Sequence, residues 1–518
     1  MQRHWGPSRA VYHLQGTCSQ KSSSRPSGDP RSLVDVGCDT DCNSARTSSF
    51  KCGIIRLFER PQRVVTISTL LKYIGKARHH VLGQLVHHHV VECGYGWESL
   101  LRNCIMHMYG KCGLVEDAKA TFNQLPNQDS YSWNILINLC GHNHGYEQAK
   151  SVFNMMPSPN VVSWNALMTL LIKHEQYKQA LEAFSCMQNK SELPNEVTLI
   201  CATDACSALR SLQNGLQLHV RVRSAGHENK IVVGTSLINM YGSCGCLQHV
   251  KSIFNNLSSQ DVVSWTAMIG CLSGNGCNEE ALELFKSMQS HKIPPNDITF
   301  ICVMEACAES ALLKDGMDIH TLVIVQSFEY HVKVCNALID MYGKCGSLQS
   351  AWKVFKTMGE RTLVTWNAMI VAFGQHGAGE KAMTLFWKMQ RDGLKPDGIT
   401  FTALMNACSH AGLVQDGWLL FHHVHDAYRY AHESDQYICI IDLLGRAGRL
   451  EEAEEVILKS PARSELVAWL CLLAACKLHG DVDRGLYAAS CCFKFDKTFA
   501  APYIVLSNIY MELLFSEP

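Results

Sequence analysis

No stretch of this sequence approaches the roughly 18 consecutive apolar residues that a membrane-spanning helix needs, so no membrane partner is expected. Charge of one sign is equally wanting: 46 Lys and Arg stand against 47 Asp and Glu, a formal net charge of -1. That leaves no global basic field and argues against a protein whose affinity rests mainly on neutralising phosphates. It does not exclude one that reads exposed bases by stacking and edge hydrogen bonds. No Cys-x-x-Cys pair occurs anywhere, and no glycine-rich phosphate-binding loop. A zinc deaminase requires an H-x-E and C-x-x-C set to hold its metal and water. The expectation is therefore a non-enzyme without metal or cofactor. Cys38 and Cys42 have three residues between them, and the runs His79-His80 and His87-His88-His89 lack ligand partners at metal-binding spacing, so these histidines read as surface or turn residues. Acidic residues are missing from the first 28 positions, which carry Arg3, Arg9, Lys21 and Arg25. Such a leader fits an organelle transit segment or a disordered N-terminus, and residues 1–63 are expected to lie outside the fold.

What is present is a soluble-type balance, 47% hydrophobic and 18% charged, together with 25 cysteines. An odd cysteine count in a chain of 518 residues does not suit a disulfide-stapled domain. Cysteines recur instead at equivalent places, as in Cys112, Cys244 and Cys345, or Cys206, Cys307 and Cys408. They read as buried free thiols packing as small hydrophobes, which implies a reducing compartment.

The recurrence is general. Trp164, Trp265 and Trp366 are 101 residues apart, and so are Gly215, Gly316 and Gly417, Phe184, Phe285 and Phe386, and Met187, Met288 and Met389. The superperiod divides into pieces of 35, 35 and 31 residues. In the piece 161–195, Trp164, Leu167, Met168 and Leu171 form one apolar helical stripe, a polar break follows at 174–176, and Ala180, Leu181, Phe184 and Met187 form a second stripe. Two short amphipathic helices cannot bury both stripes alone, whereas stacked on their neighbours they share one continuous core. The fold expected is all-α, an α-solenoid of stacked helix-turn-helix units. The tryptophans fall inside the apolar stripe and read as core, not as stacking platforms.

The segments VVSWNALM (161–168), NALIDMYGKCGSLQSAWKVF (336–355) and LMNACSHAGLVQDGW (404–418) closely resemble plant pentatricopeptide repeat proteins. The alternation of 35 and 31 residues resembles the subclass with long and short variants (PLS). The resemblance covers residues 64–518 and implies a right-handed superhelix. In this register the units are 64–98, 99–129, 130–160, 161–195, 196–230, 231–261, 262–296, 297–331, 332–362, 363–397, 398–433 and 434–465. Residues 64–465 form the array. Residues 466–518 resemble the E-type extension of RNA-editing members, with its second unit, opening on APYIVLSNIYMELL, cut short at Pro518. The apolar residues Tyr503, Ile504, Val505, Leu506, Ile509, Tyr510, Leu513 and Leu514 are expected to leave that last helix without a full partner.

Repeats of this family read one base per unit with two or three side chains. The resemblance implies that the fifth and last residues of each unit do so. An acceptor-only Asp at the last position suits the imino N–H of U or G, while Asn can also donate and suits C or A. Carried over, Asn103 with Asp129 implies U; Asn134 with Asn160, and Asn165 with Asn195, imply C or U. Thr235 with Asp261 implies G, and Thr266 with Asn296 implies A. Asn336 with Thr362 gives only a weak pyrimidine preference, and Asn367 with Asp397 implies U. Ile200/Lys230, Ile301/His331, Thr402/Glu433 and Ile438/Glu465 are off-pattern. The competing reading makes these residues helix caps or turn formers. Base readout is preferred because polar pairs occur in the 31-residue units and the units that follow them, while the intermediate 35-residue units carry Ile.

The function implied is sequence-specific binding of single-stranded organellar RNA, with site recognition for C-to-U editing as the leading process. The E-type segment would recruit a deaminase-bearing partner in trans. Stabilisation, splicing or translation of a transcript without editing is the alternative, and a protein-binding helical scaffold is the rival of a different class. The compartment implied is the mitochondrion ahead of the chloroplast, or the cytoplasm if the leader is no transit segment.

Overall fold

The computed structural model of the chain describes residues 63–125, 128–143, 145–428 and 434–516. Except for Arg63, which opens the first helix, the expected leader lies outside the described residues, as does Glu433. The described residues form 27 α-helices and two short 3-10 turns, with no strand among them. They divide into an N-terminal body ending at Cys244 and a C-terminal body beginning at Gly245. Each body is a stack of helical hairpins.

From Ser99 onwards every first helix opens on the first residue of its unit, as in Val161–Lys173, Glu196–Ala208, Val332–Lys344 and Leu363–Gln375. The second helices account for the two unit lengths. They run 13 residues in 35-residue units such as Tyr177–Asn189 and Gly379–Arg391, but 9 or 10 in the 31-residue units, as at Val115–Asn123, Tyr146–Met155 and Leu348–Thr357. One turn of helix is the difference. In each body the first helices stack on one another, and the second helices pack on their own first helix and on that of the next unit, while Leu247–Asn256 packs on Val262–Gly274.

In the hairpins other than 130–160, the turn depends on the fifteenth residue adopting a left-handed conformation. Gly113, Gly276, Gly346 and Gly377 hold φ between 68° and 81° there, where only glycine is free of the Cβ penalty. Glu175, Arg210 and Ala311 occupy the same position at φ 59°, 49° and 52°. The geometry is otherwise identical: Gln176 N–H donates to Leu171 C=O at 2.8 Å, and Leu312 N–H to Cys307 C=O at 2.9 Å.

Tryptophan joins successive units. Trp133 and Trp164, 7% and 4% exposed, meet Phe122 and Phe153 of the preceding 31-residue units edge-on, with ring centres 4.7 and 4.6 Å apart. Trp265 with Phe254 and Trp366 with Phe355 repeat the contact in the C-terminal body. These rings are core, as their place in the stripe implies. The recurring glycines have a packing cause too: a Cβ on Gly215 or Gly316 would come within 2.4 or 2.5 Å of the Met240 or Met341 sulfur.

The cysteine reading needs one correction. Cys206, Cys307 and Cys408 are buried, and burial raises their thiols, to about 11 for Cys206 and about 12 for the other two. Cys112, Cys244 and Cys345 are only half-buried, because each follows the last residue of a first helix, at the turn rather than in the core.

Candidate nucleic-acid interface

The last residue of a unit immediately precedes the next first helix, so it is placed to cap it. The Asn160 side chain accepts from the backbone N–H groups of Val162 and Ser163. Asn195, Asp261, Asn296 and Asp397 each close a capping box with Thr198, Ser264, Thr299 and Thr400. Asp129 accepts from Ser132 N–H at 2.8 Å, and even the off-pattern Thr362 makes a box with Thr365. Every one of these residues is therefore a cap. Capping occupies one side of the side chain and leaves these residues half-buried or exposed.

The fifth residues lie deeper, one turn into the first helix. Asn103, Asn134, Asn165, Thr235, Thr266 and Asn367 are 6–9% exposed, and Asn336 is half-buried. In two 35-residue units the fifth and last residues meet directly across the junction between adjacent first helices. Asn165 Nδ2 donates to Asn195 Oδ1 at 3.0 Å, and Asn367 Nδ2 to Asp397 Oδ1 at 3.2 Å. Thr266 reaches Asn296 through Thr299, whose hydroxyl lies 2.7 Å from that of Thr266 and 2.8 Å from Asn296 Oδ1. The 31-residue units differ. The side-chain oxygens of Asn103, Asn134 and Asn336 are buried with no hydrogen-bond partner. Thr235 sits on the helix Ile231–Ser243 of the N-terminal body, and Asp261 caps Val262–Gly274 of the C-terminal body. Among the off-pattern residues, Ile200 and Ile301 are half-buried, and the Thr402 hydroxyl is spent on Gly398 C=O at 3.0 Å.

Asp397 shows the electrostatics of the junction. Partial burial pushes its carboxyl up. The Thr400 hydroxyl and N–H and the Asn367 amide outweigh burial together and hold it below the ordinary carboxylate value. It is ionised at neutral pH and can only accept.

The ninth and thirteenth residues of a first helix share a face with the fifth, four apart. In the N-terminal body that face carries Lys72, Lys76, His107, Lys111, His142 and Lys173, with Asp204 as its one acid, all exposed, and the four lysines form no ion pair among the described residues. In the C-terminal body the equivalent face pairs Asp340 with Lys344 at 2.8 Å and Asp442 with Arg446 at 2.9 Å, and it also carries the exposed Glu305 and Glu309.

Two sets of residues were missed in the sequence. The third-position threonines Thr198, Thr299 and Thr400 share the 101-residue spacing, which could have flagged them. The other set corrects the reading of His87 as a surface histidine. Its Nδ1 lies 2.9 Å from the Tyr109 hydroxyl, and His219 with Tyr241 and His320 with Tyr342 repeat this at 2.8 Å. A constant offset of 22 residues was the available signal. His79, His80 and His88 are exposed, and among the described residues no three His, Cys, Asp or Glu side chains gather as a metal site. No described helix is long and apolar enough to cross a membrane.

The hairpin register recurs in known proteins. The PPR repeat family matches residues 159–207, 260–309 and 361–410, and the single PPR repeat matches 102–129, 131–161, 235–262, 333–363, 399–426 and 437–460. A pentatricopeptide repeat-containing protein of Arabidopsis thaliana is 32% identical over 446 residues, covering 86% of this chain and 68% of the relative. This chain belongs to the pentatricopeptide repeat family. A second Arabidopsis pentatricopeptide repeat-containing protein, named as chloroplastic, is 30% identical over 86% of this chain and 51% of its own length. A further relative from that plant is named as mitochondrial. The chain thus spans 51% to 68% of the length of the first two relatives. The pentatricopeptide repeat protein PPR10, solved in complex with an 18-nt psaJ RNA element, superposes with a TM-score of 0.61 over 90% of this chain and 69% of that one. At 19% identity the likeness is one of fold.

Proposed function

We propose that this pentatricopeptide repeat protein binds a single-stranded RNA of defined sequence, one nucleotide per unit, along the face of its first helices. The observation that carries this is the meeting of fifth and last side chains at 3.0–3.2 Å, repeated at fixed register, with polar atoms left over for a base. Caps alone would have no use for a second polar side chain 30 residues away. In unit order from 99–129 to 363–397 the pairs spell U, pyrimidine, pyrimidine, any base, G, A, any base, pyrimidine, U. The names of chloroplastic and mitochondrial relatives support an organellar setting, and the RNA held by PPR10 supports RNA as the ligand class. The chain acts as a binding protein that selects a site. The alternation of 31 and 35 residues supports the PLS subclass, and the hairpin Leu466–His479 with Val482–Phe495 supports an E-type extension that recruits a deaminase in trans for C-to-U editing.

Equilibrium binding to RNA carrying that register in both polarities, to a base-shuffled RNA and to the matching DNA tests the proposal. Preference for one register RNA over the shuffled one is expected. Equal binding to all, or a protein pull-down unaffected by ribonuclease with no RNA bound, contradicts it.

A further inference from the structure

The hydrogen bonds around the fifth residue sort the units by length. In the 35-residue unit 363–397 the Asn367 amide is held at both ends. Its Nδ2 donates to Asp397, which only accepts, and its Oδ1 lies 2.7 Å from the Thr400 hydroxyl, which is equally close to Asp397 Oδ1 and shares its one proton between the two. Turning the amide over would set its oxygen against the carboxylate, which has no proton to offer, and would cost the Thr400 hydroxyl its Asn367 acceptor. One orientation survives, with the second Nδ2 hydrogen left for a base. Asn165 is held in the same way, by Asn195 and by the Thr198 hydroxyl at 2.6 Å. Thr266 is tied to Thr299 at 2.7 Å.

The third-position hydroxyls that follow 31-residue units turn elsewhere. Ser132 donates to Asp129 C=O at 2.8 Å and Ser163 to Asn160 Oδ1 at 3.0 Å. Thr365 accepts from Thr362 N–H at 3.1 Å and meets the Thr362 hydroxyl at 3.2 Å. The oxygens of Asn103, Asn134 and Asn336 are left buried and unmatched. A threonine alone is therefore not sufficient, since Thr365 does not meet Asn336. The contact appears only after the longer second helix.

We infer that Thr198, Thr299 and Thr400 are positioning residues that fix which polar atom the fifth residue turns to the base, so that every third nucleotide is read sharply. This rests on the RNA-reading function proposed above. An amide fixed at neither end can offer O or NH2, and it accepts U and C almost alike, because these bases differ by exchanging a donor for an acceptor. The buried oxygens of Asn103, Asn134 and Asn336 have no hydrogen-bond partner to fix one orientation over the other. The sharp positions belong to units 161–195, 262–296 and 363–397, three units apart, so the pyrimidine read by 161–195 should resolve to one base, whereas 99–129, whose Asn103 oxygen is unmatched, should admit C beside U.

Selection from a random RNA pool with the full chain, its Thr400→Val variant and its Thr365→Val variant tests this. Both substitutions keep the β-branched shape and remove the same capping-box hydroxyl. Thr400→Val is expected to weaken base preference at the nucleotide read by 363–397 by roughly 3- to 10-fold, the worth of one hydrogen bond. Thr365→Val is expected to leave the preference read by 332–362 unchanged. Equal effects of the two variants, or an intact motif with Thr400→Val, overturn the inference while leaving RNA reading in place. A wild-type chain that selects no motif overturns the RNA reading and this inference with it.

Discussion

Asn296 illustrates how one side chain serves two ends. Its Oδ1 accepts from Thr299 N–H at 2.8 Å as a cap, and the same residue is chained through the Thr299 hydroxyl to Thr266. Capping therefore does not preclude reading at this position: the cap fixes the side chain that is proposed to read. Replacing the pair, Thr266→Asn with Asn296→Asp, is expected to move the nucleotide read by 262–296 from A towards U. An acceptor-only carboxylate suits the imino N–H of U and not the bare ring nitrogen of A. The discrimination should be about 1–3 kcal/mol, by analogy with other good base contacts. Binding curves on two RNAs differing only at that nucleotide measure it, and an unchanged preference for A would reduce both residues to caps. Which residues stand fifth and last was legible from the sequence, because register alone fixes them. The partnership of Thr400 with Asn367 was not, since it depends on how far a 13-residue second helix displaces the next unit.

Among the elements, the hairpin turns carry a measurable penalty. Ala311 holds φ 52° where units such as 99–129, 262–296 and 363–397 have glycine. Left-handed backbone costs an L-residue about 1–2 kcal/mol, against about 0.5–1 kcal/mol for the extra chain entropy of glycine. Ala311→Gly should therefore stabilise by roughly 0.5–1 kcal/mol, seen as a higher urea midpoint with unchanged slope; a lower midpoint would refute it. The junctions of His87 with Tyr109 and His320 with Tyr342 add a pH dependence. Burial, then Arg102, lowers the His87 pKa, and burial, then Lys353, lowers that of His320. A histidine with a lowered folded pKa takes up more protons unfolded. Its stabilising contribution is complete above the unfolded value, about 6.5, and is lost as pH falls below it. The Tm should drop between pH 7.5 and 5.5, and by less in the His87→Gln, His320→Gln double variant. Equal drops in the two proteins would contradict this. The helices themselves were legible because apolar stripes of period 3.6 need only sequence, and the first helices begin where the register sets them. The His–Tyr contacts were hidden because each joins a second helix to the next first helix, a pairing no single stripe reveals.

At the scale of the molecule, a net charge of -1 conceals an uneven distribution. Lys72, Lys76, Lys111 and Lys173 line the first-helix face of the N-terminal body without ion pairs among the described residues, whereas Asp340 and Lys344 pair with each other in the C-terminal body. Total charge could not reveal this, although the thirteenth position of each unit, once placed in register, does. Lys111→Ala with Lys173→Ala should weaken binding alike on every RNA sequence. The slope of log K against log salt should become shallower by about 1.4, or about 0.7 per lost contact on a single strand. A loss confined to one sequence, or an unchanged slope, would place these lysines outside the interface. The central claim is that register, repeated through the array, is a readout of RNA sequence. Selection from a random RNA pool by the purified chain tests it most directly. The account predicts an enriched motif with U, two pyrimidines, a free position, then G and A, followed by a free position, a pyrimidine and U, in one polarity. Enrichment of no motif, or of one unrelated to these side-chain pairs, would contradict it.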